Sequence, residues 1–305
     1  MLQSIALFSM RGRWQAAGVI ALLSVAALML PPFSYLASGV IALCTLRMGP
    51  KEGVKVVVAT TAMFALLAGL LLNNFFISGL FLISSWLPIF GVSWVLGYTR
   101  SMAISLLAAT GLGIVVVFAF YLVIPDPVLW WQQMIEPLAK TLAQQPGWQF
   151  DQTQSQAIVL NLSSMMTGLM AAGLSLNIML GLLIGRSWQA KLYNPGGFAS
   201  EFQQLRLGKS AAILTLVMMV VTALPLGDSL AILRACLPVL LVVFTLQGLS
   251  VVHAIVKQQK RQSFWLVAVY VLLIVMMPQM AVLLTIIGVL EQWLNFRRLT
   301  IASDE

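Results

Sequence analysis

Side chains that build catalytic centres are nearly missing from this chain. It holds one histidine, two cysteines and nine acidic residues. No H-E-x-x-H, no Gly-x-x-x-x-Gly-Lys phosphate loop and no pair of carboxylates at acid–base spacing occurs. Cys44 and Cys236 both lie inside apolar runs, so neither a disulfide framework nor a metal cluster is expected. Within or beside those runs the acids Glu52, Asp228 and Glu291 fall near the ends, which speaks against proton or sodium coupling through a buried carboxylate. The reading is therefore of a non-enzyme without metal or cofactor. Charge is scarce too: 9% of residues against roughly a quarter in soluble domains, which excludes an ordinary soluble fold.

What the chain has instead is apolar sequence, 60% of its residues, at a mean hydropathy of +0.97. A helix needs about 20 apolar residues to cross the roughly 30 Å hydrocarbon core. Ten segments emerge: Trp14 to Leu30, Phe33 to Leu46, Val54 to Leu72, Phe75 to Gly97, Met102 to Ile124, Ala157 to Ile184, Ala211 to Leu226, Leu230 to Ile255, Phe264 to Met277 and Met280 to Leu294. The first is too long for a signal-peptide core and leads directly into more apolar sequence, so it reads as an uncleaved helix. Phe33 to Leu46 and the last two are short for a span. Phe264 to Leu294 reads either as one helix kinked at Pro278 or as a hairpin turning at Pro278-Gln279; basic residues at both its ends favour the hairpin.

Fifteen of the seventeen basic residues fall in alternate gaps: Arg11 and Arg13; Arg47, Lys51 and Lys55; Arg100; Arg186, Lys191, Arg206 and Lys209; Lys257, Lys260 and Arg261; Arg297 and Arg298. The other gaps hold Lys140, Asp126, Glu136, Asp151 and Asp228, with Arg234 just inside a helix. Basic loops resist translocation, so both termini are expected in the cytoplasm. The expected architecture is an all-α polytopic membrane protein of about ten crossings, one domain over residues 1–305. Residues 125–156 form its long outer loop and residues 185–210 its long cytoplasmic loop. The net charge of +8 follows from this topology and suits anionic lipid headgroups. With no basic patch on a soluble fold, nucleic acid is not an expected partner; the bilayer is, together with a cytoplasmic or membrane protein.

Tryptophans mark the two interfaces: Trp14, Trp94, Trp188, Trp265 and Trp293 inside, Trp130, Trp131 and Trp148 outside, with Trp86 alone placed deep. In the outer loop an amphipathic stretch (Trp131, Met134, Ile135, Leu138, Leu142) is expected to lie on the surface, with Pro137 interrupting any single helix. In the inner loop Ser200 is expected to cap a short helix whose Phe202 and Leu205 face the membrane.

Intramembrane polar residues are the candidate site. Arg234 has two readings: it snorkels to the surface beside Asp228, or it meets an anionic ligand in an outward cavity shared with Asn161, Asn177 and Gln247. Ser164, Gly168 and Ala172, spaced by four, favour close helix packing, as do Ala17 and Ala21. His253 reads as a packing residue.

The inner loop carries Asn194-Pro-Gly-Gly-Phe198, then Glu201-Phe202 and Leu205-Arg206-Leu207-Gly208. This stretch resembles the cytoplasmic segment of the YybS-type family of bacterial membrane proteins. That family is distantly similar to the S components of energy-coupling-factor vitamin transporters, which have six crossings rather than ten. The resemblance implies a bacterial inner-membrane protein that binds a small solute from outside and draws energy from a partner. An alanine pair on the first helix of S components docks on that partner, and Ala17 with Ala21 matches its spacing; Phe198, Phe202 and Arg206 are the cytoplasmic contacts it would add. The competing expectation is a non-transporting protein that anchors a cytoplasmic partner through residues 185–210. An enzyme acting on a lipid-linked substrate stands third.

Overall fold

The computed structural model describes residues 2–144, 151–224, 230–259, 262 and 264–297. All regular structure among them is helical: α1 (Leu2–Ser9), α2 (Arg13–Ala27), α3 (Pro32–Met48), α4 (Pro50–Leu72), α5 (Phe76–Phe81), a π-helical turn (Leu82–Trp86), α6 (Leu87–Thr99), α7 (Met102–Val123), α8 (Pro127–Ala143), α9 (Gln152–Tyr193), α10 (Gly197–Gln203), α11 (Lys209–Ala223), α12 (Ala231–Gln258), α13 (Phe264–Val275) and α14 (Met277–Leu294). Each of the ten apolar segments is mainly helical over its described residues. Six are long and apolar enough to cross a membrane, among them Phe76–Thr99 taken through its π-turn; Arg13–Ala27, Pro32–Met48, Lys209–Ala223 and Phe264–Val275 are shorter. The chain is therefore a helical, membrane-type protein.

Local chemistry sets the boundaries. Asp126 and Asp151 cap α8 and α9 through their side chains, Asp151 in a capping box with Gln154. Pro88 has no N–H for the turn before it, and the helix widens there into the π-turn. That turn carries Trp86, fully buried against Phe64 and Phe81 at 5.5 and 5.8 Å.

Helix α9 is the centre of the bundle. Ser38 lies against Gly181 and Ala42 against Gly185, while Gln189 donates to the Leu46 carbonyl, so α3 and α9 run parallel. Between them Asn177 Oδ1 accepts from Ser38 and Ser85 at 3.0 and 3.1 Å, and Nδ2 donates to Ser34 at 2.7 Å. Such interhelical bonds replace the hydrophobic drive that lipid cannot supply. Helices α12 and α14 also run parallel: the Thr245 and Thr285 hydroxyls are 3.1 Å apart, and Arg297 reaches Ser250. Their backbones touch at Gly248 and Gly288, where an added Cβ would lie 2.0 Å from the Leu284 carbonyl oxygen and 2.4 Å from that of Phe244. Because α12 and α14 share a direction, α13 runs back between them. The reversal is at Met276 (φ −121°, ψ 48°), with Pro278 in the first turn of α14, so the hairpin stands and its turn falls two residues early.

Several expectations change. Helix α8 passes through Pro137 unbroken; the residue is exposed, so the carbonyl freed by the missing N–H has solvent to turn to. Residues 185–193 belong to α9, not to a loop. Phe202 and Leu205 are buried inside the protein, 8% and 3% exposed, rather than facing lipid; Ser200 lies within α10, whose N-cap is Gly196. Helix α1, with Ala6 and Ser9 fully buried, had no signal in an eight-residue stretch lacking charge and clear periodicity. Trp148, Asp228, Lys260, Arg261 and Arg298 lie outside the described residues.

Candidate functional site

Between the end of α9 and the start of α11 the chain does not skirt the surface. Gly196 (φ 87°) turns it inward, α10 follows, and Gly208 (φ 96°) returns it to α11. Phe202, Leu205 and Leu207 are buried on the way. Backbone groups carried into such a place need partners, and α12 and α14 supply them. Ser250 donates to the Phe202 carbonyl at 2.7 Å, and the Leu207 N–H donates to Gln247 Oε1 at 2.8 Å. Gln247 Nε2 in turn donates to the Gly288 carbonyl. Arg297 donates to the Leu205 carbonyl at 2.9 Å and to Ser250 Oγ at 3.0 Å.

Charge completes the fastening. Glu291 is fully buried and pairs with Arg206 at 3.3 Å and Arg297 at 3.5 Å. Burial pulls the Arg297 guanidinium below its ordinary value, and Glu291 opposes that shift. On the other flank Arg186 grips Glu201 in a two-pronged pair, its Nε donating at 2.9 Å. A buried carboxylate paired with one buried and one exposed arginine is costly to assemble and costly to break.

Three cavities surround α10. A chamber of about 470 Å³ is walled by α3, α9, α10, α12 and α13; Leu183, Trp188, Phe198, Phe202, Leu249 and Tyr270 make it largely apolar, and Lys191, Gln203 and His253 add polar edges. A recess of about 480 Å³ is lined by Ser200, Gln203, Gln204, Arg206, Lys257, Gln258 and Arg297, with Ala254 its one apolar member. Gln203 is common to both. A third, of about 410 Å³, gathers Arg47, Arg100 and Arg186 from the ends of three helices around Tyr193 and Asn194; Arg47 lies 4.0 Å above the Tyr193 ring.

The four residues expected to line one cavity do not meet. Gln247 is fully buried and spent on Leu207 and Gly288; Asn177 is spent on three serines. Asn161 and Arg234 are exposed on α9 and α12, and Arg234 makes no ion pair or hydrogen bond to the described residues. Ala17 and Ala21 are fully buried within this chain, so their face is already covered by its own helices. Of the cytoplasmic trio, Phe198 and Phe202 stack at 5.9 Å in the chamber wall and Arg206 enters the Glu291 pair. Sequence reasoning missed Ser250, Glu291 and Arg297. Their signal was a carboxylate six residues from an arginine at the basic end of a segment, too common to single out. No group of three or more His, Cys, Asp or Glu fit for a metal exists among the described residues.

No family model matches this chain, and neither does any curated protein or solved structure.

Proposed function

We propose that this chain is a transport-type protein of a bacterial inner membrane, with ten crossings and both termini in the cytoplasm. In this reading it holds a small solute inside the bundle, draws energy from a partner and performs no catalysis of its own. The observation that carries it is the chamber on α10: an open cavity lined by five helices, of ligand-pocket size, and bounded on one side by a separately fastened short helix. The ten-crossing count is supported by the shared direction of α3 with α9 and of α12 with α14, which an even number of reversals between them requires. Lys and Arg at alternate helix ends support the orientation. The resemblance of residues 194–208 to the YybS-type family supports the link to transport. The chamber lies at the basic end, so we assign this conformation to an inward-facing stage; access from the acidic side belongs to another.

A second reading, an anchor that recruits a cytoplasmic partner through residues 185–210 and transports nothing, is favoured by the recess of Arg47, Arg100 and Arg186.

Two measurements test the proposal. Single cysteines at Gln203 and Gln144, in a chain lacking Cys44 and Cys236, should react with an impermeant thiol reagent only in opened cells for the first and in intact cells for the second. Small molecules co-purifying with the wild type should be lost from Ala199→Trp, whose indole would occupy the chamber. Retention of the same molecules by the folded variant would refute the transport reading.

A further inference from the structure

The chamber and the recess are chemically opposite and share a wall. Along α12, Leu246, Leu249 and His253 face the chamber, while Ala254, Lys257 and Gln258 face the recess. Along α10, Phe198, Ala199 and Phe202 line the first and Ser200 the second, with Gln203 in both. Among the described residues the recess has three basic side chains in its lining and no acid; Glu291 behind it offsets one of them. Arg297 is 92% buried there and held by Leu205 and Ser250, so its charge is fixed in place rather than waving from the surface. The Lys257 side chain makes no ion pair or hydrogen bond to the described residues.

From this juxtaposition we propose that the site takes an anionic amphiphile, its phosphate head in the recess of Arg206, Lys257 and Arg297 and its apolar body in the chamber. The proposal rests on the reading of the chamber as a ligand space and names the class of ligand. An apolar chamber alone would accept any grease; a basic recess alone would accept any phosphate. Only a molecule carrying both satisfies both. Arg47, Arg100 and Arg186 form a second cavity with three basic residues, one of them paired with Glu201 in the same lining, and none of its lining residues belongs to the chamber, which makes it the natural control.

The probe is dodecyl phosphate, titrated against the purified, delipidated full chain in a neutral detergent and counted by native mass spectrometry. One molecule should bind per chain. Losing one charged contact lowers affinity by about tenfold or more, so Lys257→Gln should show that loss, as should Ala199→Trp, which fills the chamber. Arg100→Gln should bind as the wild type does. Inorganic phosphate should fail to compete at large excess, and dodecyltrimethylammonium should not bind. Phosphatidylglycerol distinguishes the sources: displacement of the probe assigns the site to a membrane lipid, and its failure to displace assigns it to a single-chain amphiphile. Equal weakening by Arg100→Gln and Lys257→Gln would overturn the proposal in favour of general surface charge. Tight binding of inorganic phosphate alone, or of the cationic amphiphile, would overturn it as well. A water-soluble molecule lost from Ala199→Trp, with no binding of dodecyl phosphate, would leave transport standing and refute the ligand class.

Discussion

The contact of α12 with α14 should be the most sensitive point in the molecule, and Gly248→Ala tests it. The new methyl would start 2.0 Å from the Leu284 carbonyl oxygen, an immovable backbone atom, where ordinary contact begins at 3.4 Å. Helix α14 must then retreat by about 1.4 Å, since repulsion rises steeply inside contact distance. Retreat stretches the 3.1 Å Thr245–Thr285 bond and the 3.0 Å bond from Thr285 to the Leu241 carbonyl beyond hydrogen-bonding range. Overpacking typically costs 1–3 kcal/mol, and each lost interhelical bond adds about 0.6 kcal/mol. Alanine's better helix propensity returns about 0.5–1 kcal/mol. The net is a loss of about 2–3 kcal/mol, worth roughly 3–5 °C in Tm for a chain of this size. Cys44 and Cys236 are both buried, so a thiol-reactive dye will report unfolding in detergent directly. Gly173→Ala is the matched control, because its added Cβ meets nothing within 4 Å. If the two variants melt together, the close approach does not hold α14 in place and the reasoning fails.

Gln247→Leu strands the buried Leu207 N–H and removes a second bond to the Gly288 carbonyl, which keeps its helical partner, and should cost about 1–3 kcal/mol, read as a lower melting temperature. Glu291→Gln leaves two arginines facing each other without their carboxylate and should cost about 3–5 kcal/mol; adding Arg206→Gln should restore part of it. Asn177→Leu removes three serine contacts and should lower Tm by a few degrees with unchanged helicity by circular dichroism, at about 0.6 kcal/mol per bond. Arg234→Lys should stay within about 0.5 kcal/mol of wild type, as surface changes do; a large loss would reveal a partner for that residue.

The helices were legible because lipid and protein core demand the same thing of sequence, an unbroken apolar run. Met102 to Ile124 differs from α7 by one residue. Polar function was harder to read, because the rule that an intramembrane polar residue marks a site cannot separate a ligand contact from an internal fastening. Gln247 and Asn177 were found by that rule and turned out to bind the chain to itself. Phe202 and Leu205 were misread because a two-faced short helix looks identical whether its apolar face meets lipid or an inward wall; only the seat prepared by Ser250 and Gln247, some 45 residues on, decides. Ion pairs such as Arg206–Glu291, separated by 85 positions, carry no local mark at all.

Helix α9 has 42 residues, a length of about 63 Å at 1.5 Å per residue. Hydrocarbon is about 30 Å thick, and membrane helices tilt by at most about 40°, which still leaves about 48 Å of height. No ordinary tilt can hide this rod. With Arg186 fixed at the basic end, residues 187–193 take up about 10 Å of the rod there, and the rest of the excess stands on the acid-bearing side, where α8 lies alongside and Trp131 is tied to Thr167 at 2.9 Å. There the molecule presents a two-helix post about 10–20 Å tall, so on that side an approaching partner or solute would encounter masonry before membrane.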